Sequence, residues 1–295
     1  MKRRYVLSLV TIAACVGLCT FLKAQEVQPA KVLYFTRSQG FEHGPAKLLD
    51  DETTFSGRSL NAYFADKNIE LIETQDGGLF DGDLEQYDAF IFYTSGNLLN
   101  AAGSKNDKAK PMTADGLRKM IAAIRAGKGF VGIHAATDTH CGLIEDGVDI
   151  YARLVGAQFT GHGPQQFSTI TIVEPAEFPF LKESGKRMTT WDEWYAANQF
   201  NKDMHVLLIQ ETAEMDSGGD RQHYARPPFP MTWIRQERQG RVAYSSFGHD
   251  NRYFQNKENV RRIGELVEWS IGRFDADTTP NIDQVTPGAG QMPEQ

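Results

Sequence analysis

The sequence predicts an α/β fold built on a mostly parallel, doubly wound sheet. Short runs that are apolar on both faces, such as Val32-Leu33-Tyr34-Phe35, are typical of strands buried on both sides. These runs alternate with stretches whose apolar residues recur every three or four positions, as they do in helices. Each early run ends in a polar loop, of which 37–44 is the first. This alternation implies right-handed crossovers with helices on both faces of the sheet.

The strands are predicted in two groups. The first four follow the strict alternation, and those beyond residue 150 follow a looser pattern. The predicted strand ranges are 31–36, 69–73, 89–93, 129–134, 169–173, 205–210, 231–235 and 241–246.

Three helices are predicted from apolar spacing. Residues 45–66 give a helix with an irregular first half. Thr113 is a typical N-cap for the second helix, and Gly127 a typical stop. A closing helix is predicted over 256–271.

The two ends of the chain have compositions of their own. Residues 1–24 resemble a secretory signal, with a basic start, an apolar run over 5–22 and a cleavage position after Ala24. An uncleaved anchor and a lipoprotein box ending at Cys15 are the alternatives. Residues 25–274 are predicted to form one domain, and 275–295 a disordered tail, since they have little to bury. We therefore expect a periplasmic or secreted protein without a stable membrane span after cleavage.

Charge and cysteine content exclude two classes of protein. Removal of the signal takes away four of the positive charges and changes the net charge from −7 to −11. Such acidity disfavours binding to a nucleic acid. Cys141 is the one cysteine outside the signal, so a disulfide framework is excluded. The oligomeric state is not predicted.

Polar loops at four predicted strand ends carry the first evidence of a site. They are residues 37–43, 94–97, 134–138 and 248–250. In a doubly wound sheet, ligands bind outside the carboxyl ends of the strands. Three of the four loops contain a histidine, so we expect a small-molecule site at this edge.

His134 is the strongest single candidate for a functional residue. Small residues flank it, as in the tight strand-to-helix turns that expose one side chain at the top of a sheet. Acid/base chemistry, substrate binding and metal ligation all suit a histidine there. The alternative is a histidine that only orders the turn.

Four histidines are candidate ligands of a divalent metal: His43, His134, His162 and His249. A carboxylate from Glu193 or Asp192 would complete such a set. We assign His134, His162 and His249 as the metal-ligand candidates, and His134, Glu193 and His249 as the catalytic candidates. No pair has the close spacing of a dedicated metal motif, and a sugar-binding cleft gathers similar residues.

Residues 191–195 combine two carboxylates with three aromatic side chains. Aromatic faces cover the C–H surface of sugars, and carboxylates accept hydrogen bonds from hydroxyl groups. The alternative is an aromatic core cluster with acids at the surface. The candidate substrate-binding residues are His43, Ser95, Asn97, Asp192, Trp194 and Tyr195.

Taken in order, several segments resemble the ThuA-like, or trehalose utilisation, family. The segments are 129–136, 154–159 with His162, 192–195, 241–244 and 248–249. The resemblance implies a flavodoxin-like three-layer sandwich of the class I glutamine amidotransferase type. The amidotransferases carry cysteine where this chain has His134, so glutaminase activity is not expected.

The resemblance also implies a role in bacterial disaccharide or 3-keto-glycoside catabolism. One hypothesis is an exported hydrolase, isomerase or lyase acting on a sugar, with a possible divalent metal as cofactor. A second is a non-catalytic carbohydrate-binding module. A third is a metal-dependent hydrolase of another small substrate.

Overall fold

The computed structural model describes residues 28–49, 52–173, 178–219 and 221–291. The predicted signal, residues 1–24, lies outside them. Across these described ranges, no helix combines the length and apolarity needed to span a bilayer.

Most strands of the described chain follow apolar runs, and their bounds extend the predicted ranges at several ends. They are β1 (Ala30–Phe35), β2 (Ile69–Thr74), β3 (Ala89–Phe92), β4 (Gly96–Asn97), β5 (Gly129–Ile133), β6 (Thr139–His140), β7 (Ile144–Glu145), β8 (Val148–Asp149), β9 (Gln158–His162), β10 (Gln166–Ile172), β11 (Arg187–Asp192), β12 (Tyr195–Asn198), β13 (His205–Gln210), β14 (Phe229–Glu237) and β15 (Gly240–Ser245).

The helices connect these strands. They are α1 (Phe55–Phe64), α2 (Ala114–Arg125), α3 (Ile150–Val155), α4 (Pro179–Lys182), α5 (Asn251–Gln255), α6 (Lys257–Ser270) and α7 (Ile282–Val285), with short 3-10 turns at Gly44–Ala46, Gly77–Asp81 and His134–Asp138. The Thr113 hydroxyl accepts from the Gly116 amide at 2.9 Å, as predicted for the cap of α2.

Nine strands form the central sheet, in the order β11-β10-β13-β14-β15-β5-β3-β1-β2. The five strands from β15 to β2 are all parallel, which agrees with the prediction. The other four extend the sheet in antiparallel pairs. That antiparallel part corresponds to the region in which the sequence pattern loosens.

Helices cover both faces of the parallel half. Because side chains alternate along a strand, Val32 and Tyr34 face one apolar cluster, together with Ile263 of α6. Leu33 and Phe35 face the opposite cluster, which contains residues of α2 and α3. The doubly covered sheet is the feature that the run Val32-Leu33-Tyr34-Phe35 predicts.

The sequence prediction lacks the two-residue strands β4, β6, β7 and β8 and the longer strands β9, β11 and β12. In β11, exposed residues alternate with less exposed ones, because it lies at the edge of the sheet. The pattern is that of a half-exposed strand, which has no continuous apolar run in its sequence.

The described part of the C-terminal segment differs from the predicted disordered tail. Residues 282–285 form α7, and Ile282 is 2% exposed. The Asn281 side chain accepts from the Val206 amide at 2.7 Å. One buried isoleucine and a hydrogen bond to β13 are therefore enough to fix a segment whose average composition is polar.

Candidate functional site

Three histidines meet at the carboxyl edge of the parallel strands. His43 follows β1, His134 follows β5, and His249 follows β15. These strands run in the same direction within one sheet, so the loops that leave them emerge side by side. The sequence prediction of a histidine-rich edge matches this arrangement.

His134 begins a tight turn at the end of β5. Its φ is +45°, a left-handed conformation that a residue with a side chain rarely adopts. The Tyr244 hydroxyl donates to the His134 carbonyl at 2.8 Å and so supports this conformation. The turn directs a fully buried imidazole to the sheet edge.

The His134 ring has one nitrogen committed to the backbone. Nδ1 lies 2.7 Å from the Ser246 carbonyl oxygen. Because a carbonyl only accepts, Nδ1 carries the proton, and in the neutral ring Nε2 presents a lone pair. Nε2 is buried and has no hydrogen-bond partner in the described part of the protein. Such an orphaned nitrogen calls for a partner that the described side chains do not provide.

Glu193 comes to the same place from the link between β11 and β12. Its Oε2 lies 3.0 Å from His249 Nδ1 and 3.7 Å from His134 Nε2. His249 Nδ1 is buried and pairs with Glu193 Oε2 at this short distance, although the geometry is not that of an aligned hydrogen bond. The ring nitrogens and the carboxylate are therefore close together without being aligned on one another.

The three imidazoles are packed edge to face. The ring centroid of His43 lies 4.8 Å from that of His134 and 5.1 Å from that of His249. One ligand atom from each of His43, His134, Glu193 and His249 can be chosen so that all four lie within 4.8 Å of one another. Zinc binds imidazole nitrogen and carboxylate oxygen at about 2.0–2.2 Å, which separates tetrahedral ligands by about 3.3 Å.

The types of donor atom in this cluster suit a divalent transition metal. Imidazole suits Zn²⁺, Cu²⁺, Fe²⁺ and Ni²⁺, and a single carboxylate is a common additional ligand. The hydrogen bond from His134 Nδ1 to a backbone carbonyl is also the usual outer support of a ligating histidine.

Burial and charge set the protonation of the cluster. Burial, with the nearby rings of His134 and His249, lowers the pKa of His43 well below its usual value and keeps this imidazole neutral. Burial alone would raise the pKa of Glu193, but His134 and His249 outweigh it and hold that pKa well below its usual range. Glu193 is therefore ionised, as a metal ligand must be.

His249 is held by the partners of both its ring and its amide. Burial alone would lower its pKa, but Glu193 outweighs burial and raises it. Its backbone amide donates to Asp192 Oδ1 at 3.1 Å, and the Gly248 amide donates to Asp192 Oδ2 at 2.9 Å. Asp192 thus fixes the loop that carries His249.

Asp192, which the sequence predicts to bind substrate, uses its carboxylate oxygens to accept hydrogen bonds from the backbone. Its carboxylate also accepts from the Glu193 amide at 2.9 Å, so both oxygens are bonded to the backbone. Burial raises its pKa although these hydrogen bonds oppose the change. The role that the structure gives Asp192 is to order Glu193 and His249.

Tyr195 and His162 lie beside the cluster. The Tyr195 ring centroid is 4.2 Å from that of His134, and its hydroxyl lies 3.3 Å from His43 Nε2. Burial and Glu193 raise the pKa of Tyr195 well above its usual value, so the phenol stays protonated. His162 stacks on Tyr195 and places Nδ1 3.3 Å from Glu193 Oε1. His162 lies outside the four-residue cluster, contacts the other oxygen of Glu193, and has a 38% exposed side chain.

The remaining predicted binding residues have structural partners. Trp194 has no exposed surface and donates to the Gln166 carbonyl at 2.9 Å, so it cannot stack on a ligand. The Ser95 hydroxyl donates to the Phe41 carbonyl at 2.6 Å. Asn97 Oδ1 accepts from the Leu99 amide at 2.9 Å. Ser95 and Asn97 therefore order loops of this edge, and Trp194 packs in the apolar core, which is the alternative given for the aromatic residues of 191–195.

Phe41 is the residue at this edge that sequence reasoning missed. Its side chain is 65% exposed, and its ring packs edge-on against His43 with centroids 4.8 Å apart. Phe41 thus covers one side of the His43 imidazole and borders the cluster. The local sequence contains only one aromatic in a polar loop, so it gave no signal.

A family model described as trehalose utilisation (ThuA) matches residues 31–270. Among solved structures, a ThuA-like protein from Bacteroides uniformis has a TM-score of 0.59 at 17% identity, with 84% of this chain and 96% of that chain covered. A ThuA-like protein from Parabacteroides merdae has a TM-score of 0.56 at 12% identity, with 85% and 92% covered. A glutamine amidotransferase from Thermotoga maritima has a TM-score of 0.45 at 12% identity, with 83% and 100% covered. No curated protein matches the sequence.

Proposed function

Because the chain belongs to the ThuA family, whose members are described by trehalose utilisation, we propose that it is an exported, metal-dependent enzyme of carbohydrate catabolism. Family membership implies the role in carbohydrate utilisation. Export, the metal and catalysis are the proposal. The substrate class that we propose is a disaccharide or a 3-keto-glycoside, bound at the carboxyl edge of the parallel strands.

The observation that carries this proposal is the orphaned Nε2 of His134 within a cluster of four possible metal ligands. Nε2 of His134 is buried without a hydrogen-bond partner in the described chain and lies 3.7 Å from Glu193 Oε2, which pairs with His249 Nδ1 at 3.0 Å. Leaving a polar atom buried and unpaired costs about 1–3 kcal/mol, so this nitrogen needs an explanation. His43, His134, Glu193 and His249 would together hold a metal ion, which would supply that partner.

The chemistry of a sugar substrate fits such a centre. A bound divalent metal polarises a carbonyl or hydroxyl oxygen as a Lewis acid. His162 is the partly exposed titratable group next to the cluster, and its ring is held by stacking on Tyr195. We assign it the transfer of a proton to or from the substrate. The protonated phenol of Tyr195 orients His43.

Glutaminase activity is not part of the proposal. The turn after β5 carries His134, whereas Cys141 is buried and its thiol lies 3.2 Å from Asp149 Oδ1. Burial raises the pKa of Cys141 to about 11, which leaves little thiolate to act as a nucleophile.

Turnover is the test of the enzyme proposal. Purified protein is incubated with trehalose, sucrose and their 3-keto forms, and products are separated by chromatography. We expect conversion by the wild type and a loss of about 100-fold or more in Glu193→Gln and His134→Ala, both still folded by circular dichroism. His205→Ala is the control, because His205 contacts the Thr279 carbonyl away from the cluster.

Two outcomes would contradict the proposal. Unchanged turnover in Glu193→Gln and His134→Ala would remove the cluster from the mechanism. Saturable binding of these sugars by calorimetry without any product over long incubation would make the protein a carbohydrate-binding module.

A further inference from the structure

A pair of exposed aromatic side chains lies on the two strands that precede Glu193 in the chain. Phe167 and Trp191 are cross-strand partners on β10 and β11, and their ring centroids are 5.2 Å apart. They are 66% and 41% exposed, although both are large and apolar. Single exposed apolar residues are ordinary, but an adjacent aromatic pair leaves a continuous apolar surface in water. The pair therefore indicates a ligand or partner.

Fixed polar groups surround this aromatic pair. The Arg252 guanidinium lies 5.9 Å from the Trp191 ring and donates to Gln165 Oε1 at 2.9 Å. Its Nε donates to Asp250 Oδ2 at 2.8 Å. Trp191 Nε1 donates to the same Gln165 oxygen at 3.3 Å. The network holds a carboxylate, a guanidinium and an amide around the aromatic faces before any ligand arrives.

The aromatic pair and Arg252 line a pocket of about 350 Å³, whose wall also includes the amide side chain of Asn259. That volume is near the lower end of the range for small-molecule sites. Asp192 and Asp250 are also in its wall. Asp192 binds the amides of Glu193 and His249, and Asp250 follows His249 in the chain. The pocket and the cluster therefore share the turns that carry two of the four candidate ligands.

We propose that this pocket, the aromatic subsite, binds the second sugar ring of a disaccharide whose first ring lies at the histidine cluster. A pyranose has apolar C–H faces and equatorial hydroxyls, so it needs an aromatic surface with planar polar groups at its border. The aromatic subsite offers that combination, whereas a surface for a protein partner has a larger apolar centre. This inference rests on the proposed function, because it assigns the part of the substrate that does not react.

Calorimetric titration with trehalose, 3-keto-trehalose and glucose tests the aromatic subsite. We expect Trp191→Ala to weaken disaccharide binding by about tenfold and to leave glucose binding and metal content unchanged. Trp191→Phe should recover most of the loss, because an aromatic face remains. Ile144→Ala, which removes an apolar side chain that is 61% exposed elsewhere, is the matched control and should bind like the wild type.

Several results would overturn the aromatic subsite, and three of them come from the titrations. They are disaccharide affinity that Trp191→Ala leaves unchanged, an equal loss for glucose and disaccharide, or no binding of either sugar to the wild type. A change of molecular mass in Trp191→Ala on size-exclusion chromatography would also overturn it, since a second copy would then cover the pair. If Trp191→Ala keeps the turnover of the wild type, the aromatic subsite is rejected and the proposed enzyme is not. If sugar binding depends on Trp191 but no product forms, the proposed enzyme is rejected and the aromatic subsite is not.

Discussion

Asp192 and Glu193 are adjacent carboxylates with different tasks. Glu193 presents Oε2 to His134 and His249, and it is ionised. Asp192 instead accepts hydrogen bonds from three backbone amides, two of which belong to Glu193 and His249. Residues that hold metal-binding side chains in place without touching the metal orient those side chains. Their loss typically lowers metal affinity by about 10–100-fold.

Asp192→Asn tests this division at the level of single residues. An asparagine keeps one acceptor oxygen and adds a donor that opposes the amides. We expect metal affinity, measured by competition with a chelator, to fall by about 10–100-fold while the protein still folds. Asp83→Asn is the control, because exposed Asp83 also accepts from a backbone amide, that of Glu85, but away from the site. Equal metal affinity in the Asp192 variant and the control would show that Asp192 has no positioning role.

The end of β5 is the element that sets the position of His134. Gly132 lies within that strand, and a Cβ there would meet Val155 Cγ2 at 3.0 Å and Ala136 Cβ at 3.1 Å. Tyr244, whose hydroxyl supports the His134 carbonyl, would be 3.1 Å away through its Cδ2. The left-handed turn thus depends on packing around a residue without a side chain.

Gly132→Ala tests the packing of this element. Glycine to alanine stabilises a protein by about 0.4–1 kcal/mol where the backbone and the space allow it. Overpacking costs about 1–3 kcal/mol, so we expect net destabilisation in urea unfolding together with weaker metal binding. Gly290→Ala, where a Cβ would have open space, is the control. A Gly132 variant as stable as the wild type would mean that β5 and its turn are not tightly packed.

Predictability from sequence differs between elements. The gathering of His43, His134 and His249 follows from strand order alone, since parallel strands end at one edge. The roles of Asp192 and Trp194 were not predictable, because they depend on how the link between β11 and β12 turns at the edge of the sheet. His162 was expected among the metal ligands, but its pairing with Tyr195 across β9 and β12 places it against the outer oxygen of Glu193.

At the scale of the whole molecule, the C-terminal segment is attached to the domain. Ile282 is buried within the same apolar cluster as residues of β13, and the Arg226 guanidinium donates to the Ala289 carbonyl. The boundary predicted at residue 274 depends on average composition. An average does not reveal a single buried residue such as Ile282. The segment therefore contributes to the stability of the domain.

Ile282→Ala measures that contribution. Truncation of a buried isoleucine costs about 2–5 kcal/mol where the surroundings cannot collapse. We expect a loss in this range in the free energy of unfolding by urea. Gln284→Ala, at an exposed position of the same helix, should leave it unchanged. Identical unfolding curves for the wild type and Ile282→Ala would indicate that the segment is detached in solution.

The central claim is that His43, His134, Glu193 and His249 together hold a divalent metal. Inductively coupled plasma mass spectrometry of the purified protein, after exposure to Zn²⁺, Mn²⁺, Fe²⁺ and Ni²⁺ and removal of free metal, tests it most directly. The account predicts about one metal ion per chain in the wild type and less than about a tenth of that in His134→Ala, with His205→Ala equal to the wild type. A wild type without bound metal, or a His134→Ala variant that retains as much as the wild type, would contradict it.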